Sequence, residues 1–172
     1  MPKPITSAFL IPLFLLLSGC GGMKFTFNGG TVPPEAETLS VSTFFDDVGA
    51  GPPNLNITAT EKLRDYFQRN TRLALVSQEG DLQFSGSITG YEVAPAAPTA
   101  EENQQAALQR LTITVQVQYF NAFDEDTNFD KSFSFFSDFG ANENLTDVED
   151  RLIEEILDQI VIDIFNASVA NW

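Results

Sequence analysis

The side chains that most often carry catalysis are scarce in this chain. Its 172 residues include no histidine and a single cysteine, Cys20. Ser/His/Asp and Cys/His arrangements need an imidazole base, and the common zinc sites need imidazoles or several thiolates, so composition excludes all three. No glycine-rich phosphate loop opens a helix. Carboxylates are plentiful, 24 Asp and Glu against 9 Lys and Arg, and pairs of acids are the machinery of glycoside hydrolysis. Abundance alone is not a constellation: no cleft motif brackets any pair, so the chain reads as a non-enzyme that needs no cofactor. Asp124, Glu125 and Asp126 offer the oxygens calcium prefers, without the EF-hand spacing or its glycine. That run reads as a solvated turn, and no metal site is expected.

Cys20 is the residue with a definite chemistry. Lys3 supplies a positive charge near the start, Ala8 to Leu17 is an apolar run, and Leu17-Ser18-Gly19 leads directly into the cysteine. An apolar run of about ten residues is half of what a helix needs to cross a bilayer, and it has the length of a signal peptide's hydrophobic core. The tetrapeptide resembles the bacterial lipobox, after which the signal is cleaved and the new terminal cysteine is acylated. Two or three acyl chains, palmitate among them, hold a protein on a membrane far more firmly than one, because each buried methylene contributes about 0.8 kcal/mol. Residues 1–19 are therefore expected to be signal, residues 20–37 a lipidated tether, and residues 38–172 a single domain.

Removal of residues 1–19 leaves 172 − 19 = 153 residues and takes away Lys3, so 8 cations face 24 acids for a net charge of −16. Phosphate neutralisation requires clustered Lys and Arg, so nucleic acid is excluded as a partner. With its one cysteine acylated the chain forms no disulfide and must depend on its core, for which 16 Phe are available.

The elements follow from periodicity. In Arg110 to Asn121, Leu111, Ile113, Val115, Val117 and Tyr119 share one parity, and polar residues share the other, which predicts a long strand with one dry face. Leu82 to Val93 reads as its antiparallel partner. There the apolar parity shifts from Phe84 and Ile88 to Tyr91 and Val93, so a bulge or strong twist is expected near Gly90. Further strands are predicted over 38–44, 72–76 and 129–139, with Phe129, Phe133 and Phe135 on one face and Phe136 on the other. Helices are predicted over 55–70 and 146–169, with Thr58/Glu61 and Thr146/Glu149 at capping-box spacing. A helix between the first two strands suggests a crossover that lays them parallel. The expected fold is α+β: a mainly antiparallel four- to five-stranded sheet with two helices packed on one face. The other face is left to water or to a partner, and residues 94–105 form a polar tip on the hairpin.

Several segments in this order resemble the LptE family of lipopolysaccharide-assembly lipoproteins. They are FTFNGGTVP at 25–33, TRLALV at 71–76, GDLQFSGSITGYEV at 80–93, RLTITVQVQYFN at 110–121, and VEDRLIEEILDQIVIDIFN at 148–166 followed by Trp172. With Gly86, Ile88 and Tyr91 as they stand, the chain is most similar to the divergent branch. The resemblance implies a non-catalytic outer-membrane lipoprotein facing the periplasm, plugging an LptD-type β-barrel translocon and assisting its assembly, with lipopolysaccharide as a further partner. Better-known members are thought to meet that lipid through basic residues at one end of the sheet. No such cluster stands in this sequence, so a lipid site here requires divalent cations to bridge the charges, or Arg72, Arg110 and Lys131 to converge. A stand-alone periplasmic lipoprotein holding a small apolar ligand between sheet and helices is the alternative.

Overall fold

The computed structural model describes residues 32–96 and 108–169. Cys20, Trp172 and most of the 94–105 tip lie outside these residues. Eight elements follow one another: β1 (Thr38–Val41), β2 (Phe45–Asp46), α1 (Leu55–Asn70), β3 (Ala74–Val76), β4 (Leu82–Pro95), β5 (Leu108–Asn121), β6 (Phe129–Gly140) and α2 (Leu145–Val169). They build the expected α+β fold. The sheet is antiparallel over its long β4-β5-β6 part and gains short parallel pairings at β1, β2 and β3, so it is mixed; it counts six strands, in the order β3-β1-β4-β5-β6 with β2 beside β4.

The long hairpin forms as its alternation dictates. Leu111, Ile113, Val115 and Val117 point to the helices and are all but fully buried. The ladder steps from Ile88 opposite Val115 to Gly90 opposite Thr114, leaving Thr89 as the extra residue. This bulge returns Tyr91 and Val93 to the core side and accounts for the parity shift in the sequence.

In the first half of the sheet β1 and β3 are parallel, as the helix between them suggests, and the unexpected feature is that β4 lies parallel on the other side of β1. β1 pairs parallel with both β3 and β4, Leu39 lying between Leu75 and Leu82. To pass from one side of β1 to the other, residues 77–81 cross it tightly. A Cβ on Gly80 would lie 2.5 Å from the Ser40 amide nitrogen, and the Gly80 amide donates to Ser40 Oγ at 3.2 Å. The crossing buries Ser40 although that side chain faces away from the helices. Asp81 then fastens the crossing, its Oδ2 accepting from the Glu37 amide, the Thr38 amide and Thr38 Oγ1 at 2.8–2.9 Å. Those bonds, the Glu37 amide first, hold its carboxyl below the usual carboxylate range.

Strict alternation along 38–44, with Leu39, Val41 and Thr43 on one side, sets Phe44 on the wet side with Ser40 and Ser42, and the structure places it otherwise. The strand breaks after Val41 and resumes at Phe45 against Ser87. At the break the Phe44 amide donates to Thr60 Oγ1 of α1, and its ring enters the core at 2% exposure. Neither predicted capping box forms. α1 begins at Leu55, N-terminal to Thr58, with Asn54 as N-cap residue making no side-chain cap bond. α2 begins at Leu145, ahead of Thr146, and the Glu149 carboxylate accepts the Tyr91 hydroxyl instead.

Both helices pack on one face. Leu55, Ala59, Leu63 and Phe67 of α1 and Leu152, Ile156, Ile160 and Ile164 of α2 close the core. Phe165, Phe67, Phe84, Tyr119 and Phe129 form a continuous aromatic row through it, with ring centroids 4.8–5.2 Å apart. Such spacing suits tilted and edge-on pairs, which add to the burial of the rings themselves.

Candidate functional site: the uncovered face of the sheet

Two helices on one side leave the far side of β4, β5 and β6 without a covering layer among the described residues. The register sets out that face row by row. Toward the hairpin tip, Arg110 lies opposite Asp138, and Thr112 stands between Glu92 and Phe136. Midway, Thr114 faces Ser134, and Gln116 stands between Ser87 and Ser132. Toward the other end, Gln118 lies between Ser85 and Asp130, and Phe120 lies opposite Gln83.

Most of these side chains satisfy one another across the strands. Thr114 and Ser134 hydroxyls are 3.0 Å apart, and the Gln116 and Gln118 amides both donate to Asp130. Arg110 grips Asp138 in a bidentate pair at 2.7 and 2.8 Å, and its guanidinium carbon lies 3.5 Å from the centre of the Phe136 ring. The hydrogen bond between them raises the Arg110 pKa and holds the Asp138 carboxyl below its ordinary range. The charges on this face of β4, β5 and β6 are thus Glu92, Asp130, Asp138 and Arg110, two of them mutually neutralised. Other acids among the described residues lie away from this face, Glu154, Glu155 and Asp158 among them on the outer side of α2.

Three phenylalanines stand on this surface: Phe45 on β2 at 71% exposure, Phe120 at 44% and Phe136 at 42%. Rings so exposed on a flat, largely uncharged face suit contact with another protein surface, where aromatic anchors carry much of the binding energy. Phe136 stood out in the sequence by its parity. Phe120 carried a signal too, since it breaks the polar parity of β5. Phe45 gave none, because the break before β2 is a tertiary event.

Arg72, Arg110 and Lys131 stand apart. Arg110 is on the uncovered face near the hairpin tip. Lys131 is on the helix side of β6, with its ammonium 5.2 Å from the Phe129 ring centre, and it pairs with Val117. From residue 110 to residue 117 the strand advances about 23 Å. Arg72 is at the opposite margin of the sheet, ahead of β3, and donates to the Pro34 carbonyl at 3.1 Å. The fold therefore assembles no single cationic site from them.

Between the two helices runs a shallow groove of about 280 Å3, lined by Pro52, Leu55, Lys62, Asp150, Ile153 and Glu154. Lys62 spans it to Asp158 and lies 3.9 Å from Glu154. The groove opens at the surface and does not separate the sheet from the helices, where a buried apolar ligand was envisaged. Among the described residues no group of acids is placed to hold a metal ion, and no helix is long and apolar enough to cross a membrane.

Comparison with known proteins bears on this arrangement. Residues 36–168 match the family model LptE, described as lipopolysaccharide-assembly. Solved structures share the fold at low identity. An uncharacterised lipoprotein B from Nitrosomonas europaea aligns with a TM-score of 0.52 and 12% identity over 84% of this chain and 88% of its own. A hypothetical protein from Chlamydia trachomatis gives 0.53 and 9% over 79% and 99%. A protein from Xanthomonas campestris gives 0.52 and 12% over 81% and 90%. No curated protein sequence matches the chain significantly.

Proposed function

The chain belongs to the LptE lipopolysaccharide-assembly family, and we propose that it is a non-catalytic lipoprotein of the outer membrane that seats in an LptD-type β-barrel translocon and assists its assembly. In this reading Cys20 is acylated, the domain faces the periplasm, and the uncovered sheet face lies against the barrel partner. One observation carries it: a family match over residues 36–168 coincides with a broad, sparsely charged, aromatic-dotted face that the fold's own helices leave bare. A role as a fitted plug needs shape and a complementary wall. It does not need a basic cluster, so it is compatible with a net charge of −15 for the full sequence and with the scattering of Arg72, Arg110 and Lys131. Direct contact with lipopolysaccharide would have to use these residues singly, Arg110 being the one on the uncovered face.

The test is purification of the tagged, lipidated protein from detergent-solubilised outer membrane, with mass spectrometry of what co-elutes. A large outer-membrane barrel in about equal amount is the expected result. Elution of the protein alone, from a preparation that retains other membrane complexes, would sink the proposal.

A further inference from the structure

The two margins of the sheet are unequal. On one side stands β3, three residues long. On the other stands β6, twelve residues long, which among the described residues pairs only with β5, in a register that runs unbroken from Phe129 to Gly140. In an antiparallel ladder about half of an edge strand's N–H and C=O groups point away from its neighbour. Apart from bonds at its ends, where the Asn128 amide meets Glu125 and the Gly140 amide meets Glu143, no other element among the described residues takes up the β6 backbone.

Proteins ordinarily guard such an edge with proline, a bulge, a covering loop or lysines along it. β6 has neither proline nor bulge, and of its three charges Lys131 lies over Phe129 on the helix side, Asp138 is paired with Arg110 of β5, and Asp130 alone is left beside the edge. Side chains flank the edge on both sides, with Phe133 and Phe135 half-buried beneath α2 and Phe136 exposed on the bare face. An added strand would therefore find apolar contacts as well as backbone partners.

We propose that the outer edge of β6 receives an extended segment of another polypeptide as a further strand of the sheet. The inference rests on the barrel-partner reading. A closed barrel has no free edge of its own, so the donor is a loop or terminal extension of the barrel protein and not its wall. Charge selects against a second copy of this chain, which would bring a formal charge of −15 and the acids of its own α2 alongside Glu155. It selects for a segment bearing Lys or Arg, because Asp130 beside the edge is held, among the described residues, by the uncharged Gln116 and Gln118. The donor is thus an extended stretch that alternates apolar and polar residues and is flanked by basic ones.

Amide hydrogen exchange tests this on the lipidated protein alone and on its purified complex with the barrel. The outward β6 amides, alternate residues between Phe129 and Phe139, should exchange about tenfold more slowly or better in the complex, while the amides of β5, already paired on both sides, change little. If the complex forms and the β6 amides exchange as before, edge pairing is overturned and the barrel partnership stands. If no complex forms, both fall. Protection of β6 in the isolated protein together with sedimentation as a dimer would overturn the proposal in favour of a second copy.

Discussion

Replacing Tyr119 by phenylalanine is expected to stabilise the domain. Tyr119 is 3% exposed, its ring lies between Phe84 and Phe129, and its hydroxyl has no hydrogen-bond partner among the described residues. A buried hydroxyl left unpaired costs about 1–3 kcal/mol, so removal of the oxygen, less the small void it leaves, should gain about 1 kcal/mol. For a domain of this size that is a rise of about 2–4 °C in Tm, measurable by calorimetry and by denaturant midpoint at unchanged slope. The pH dependence gives an independent check. Burial, aided by the charge of Asp124, pushes the phenol up to about 12. A phenol that titrates near 10 when unfolded and near 12 when folded keeps its full contribution below pH 10, and that contribution is lost as pH rises toward 12. Tyr119→Phe should remove this loss, so its advantage over the wild type widens as pH rises through that interval. A variant destabilised by 1 kcal/mol or so at pH 7 would refute the reasoning, because the hydroxyl would then have a partner worth keeping.

Other substitutions probe different links. Gly86→Ala would place a Cβ 2.3 Å from the Gln116 carbonyl oxygen and push β4 from β5, with a loss of about 3 kcal/mol or more expected in chemical denaturation. Asp81 titrates below its ordinary range when folded, so its contribution is present above pH 4 and fades as the pH falls through the lower folded value; Asp81→Asn should flatten acid unfolding curves over that interval. Cys20→Ser should shift the protein from the membrane pellet to the soluble fraction and abolish incorporation of labelled palmitate, and unchanged pelleting would remove the lipoprotein reading.

What could be read from the sequence was whatever depends on neighbours along the chain. The alternation of Leu111 to Tyr119 and the stripe from Leu152 to Phe165 face solvent or core over many turns, so periodicity alone reports them. Even the bulge at Thr89 left its mark, because it changes which residues must be apolar. The parallel insertion of β1 between β3 and β4 was hidden, since it depends on a crossing of residues 77–81 that three bonds to Asp81 and the narrowness of Gly80 make possible. Phe44 departs from strict alternation for the same reason: its burial is decided by Thr60 in another element. That Arg72, Arg110 and Lys131 stand apart follows from strand order and face, which no spacing along the chain reveals.

β1 also determines how mechanical load would enter the molecule. The described chain begins at Val32 and reaches the sheet through β1, whose two neighbours run in its own direction. A pull along the axis of β1 would strain the hydrogen bonds on both of its sides together in shear instead of opening them one after another like a zipper. The clasp of Asp81 on Glu37 and Thr38 lies at the point where that pull arrives. An attachment at this end thus meets the sheet in its most tear-resistant orientation, and the long hairpin behind it is left unstrained.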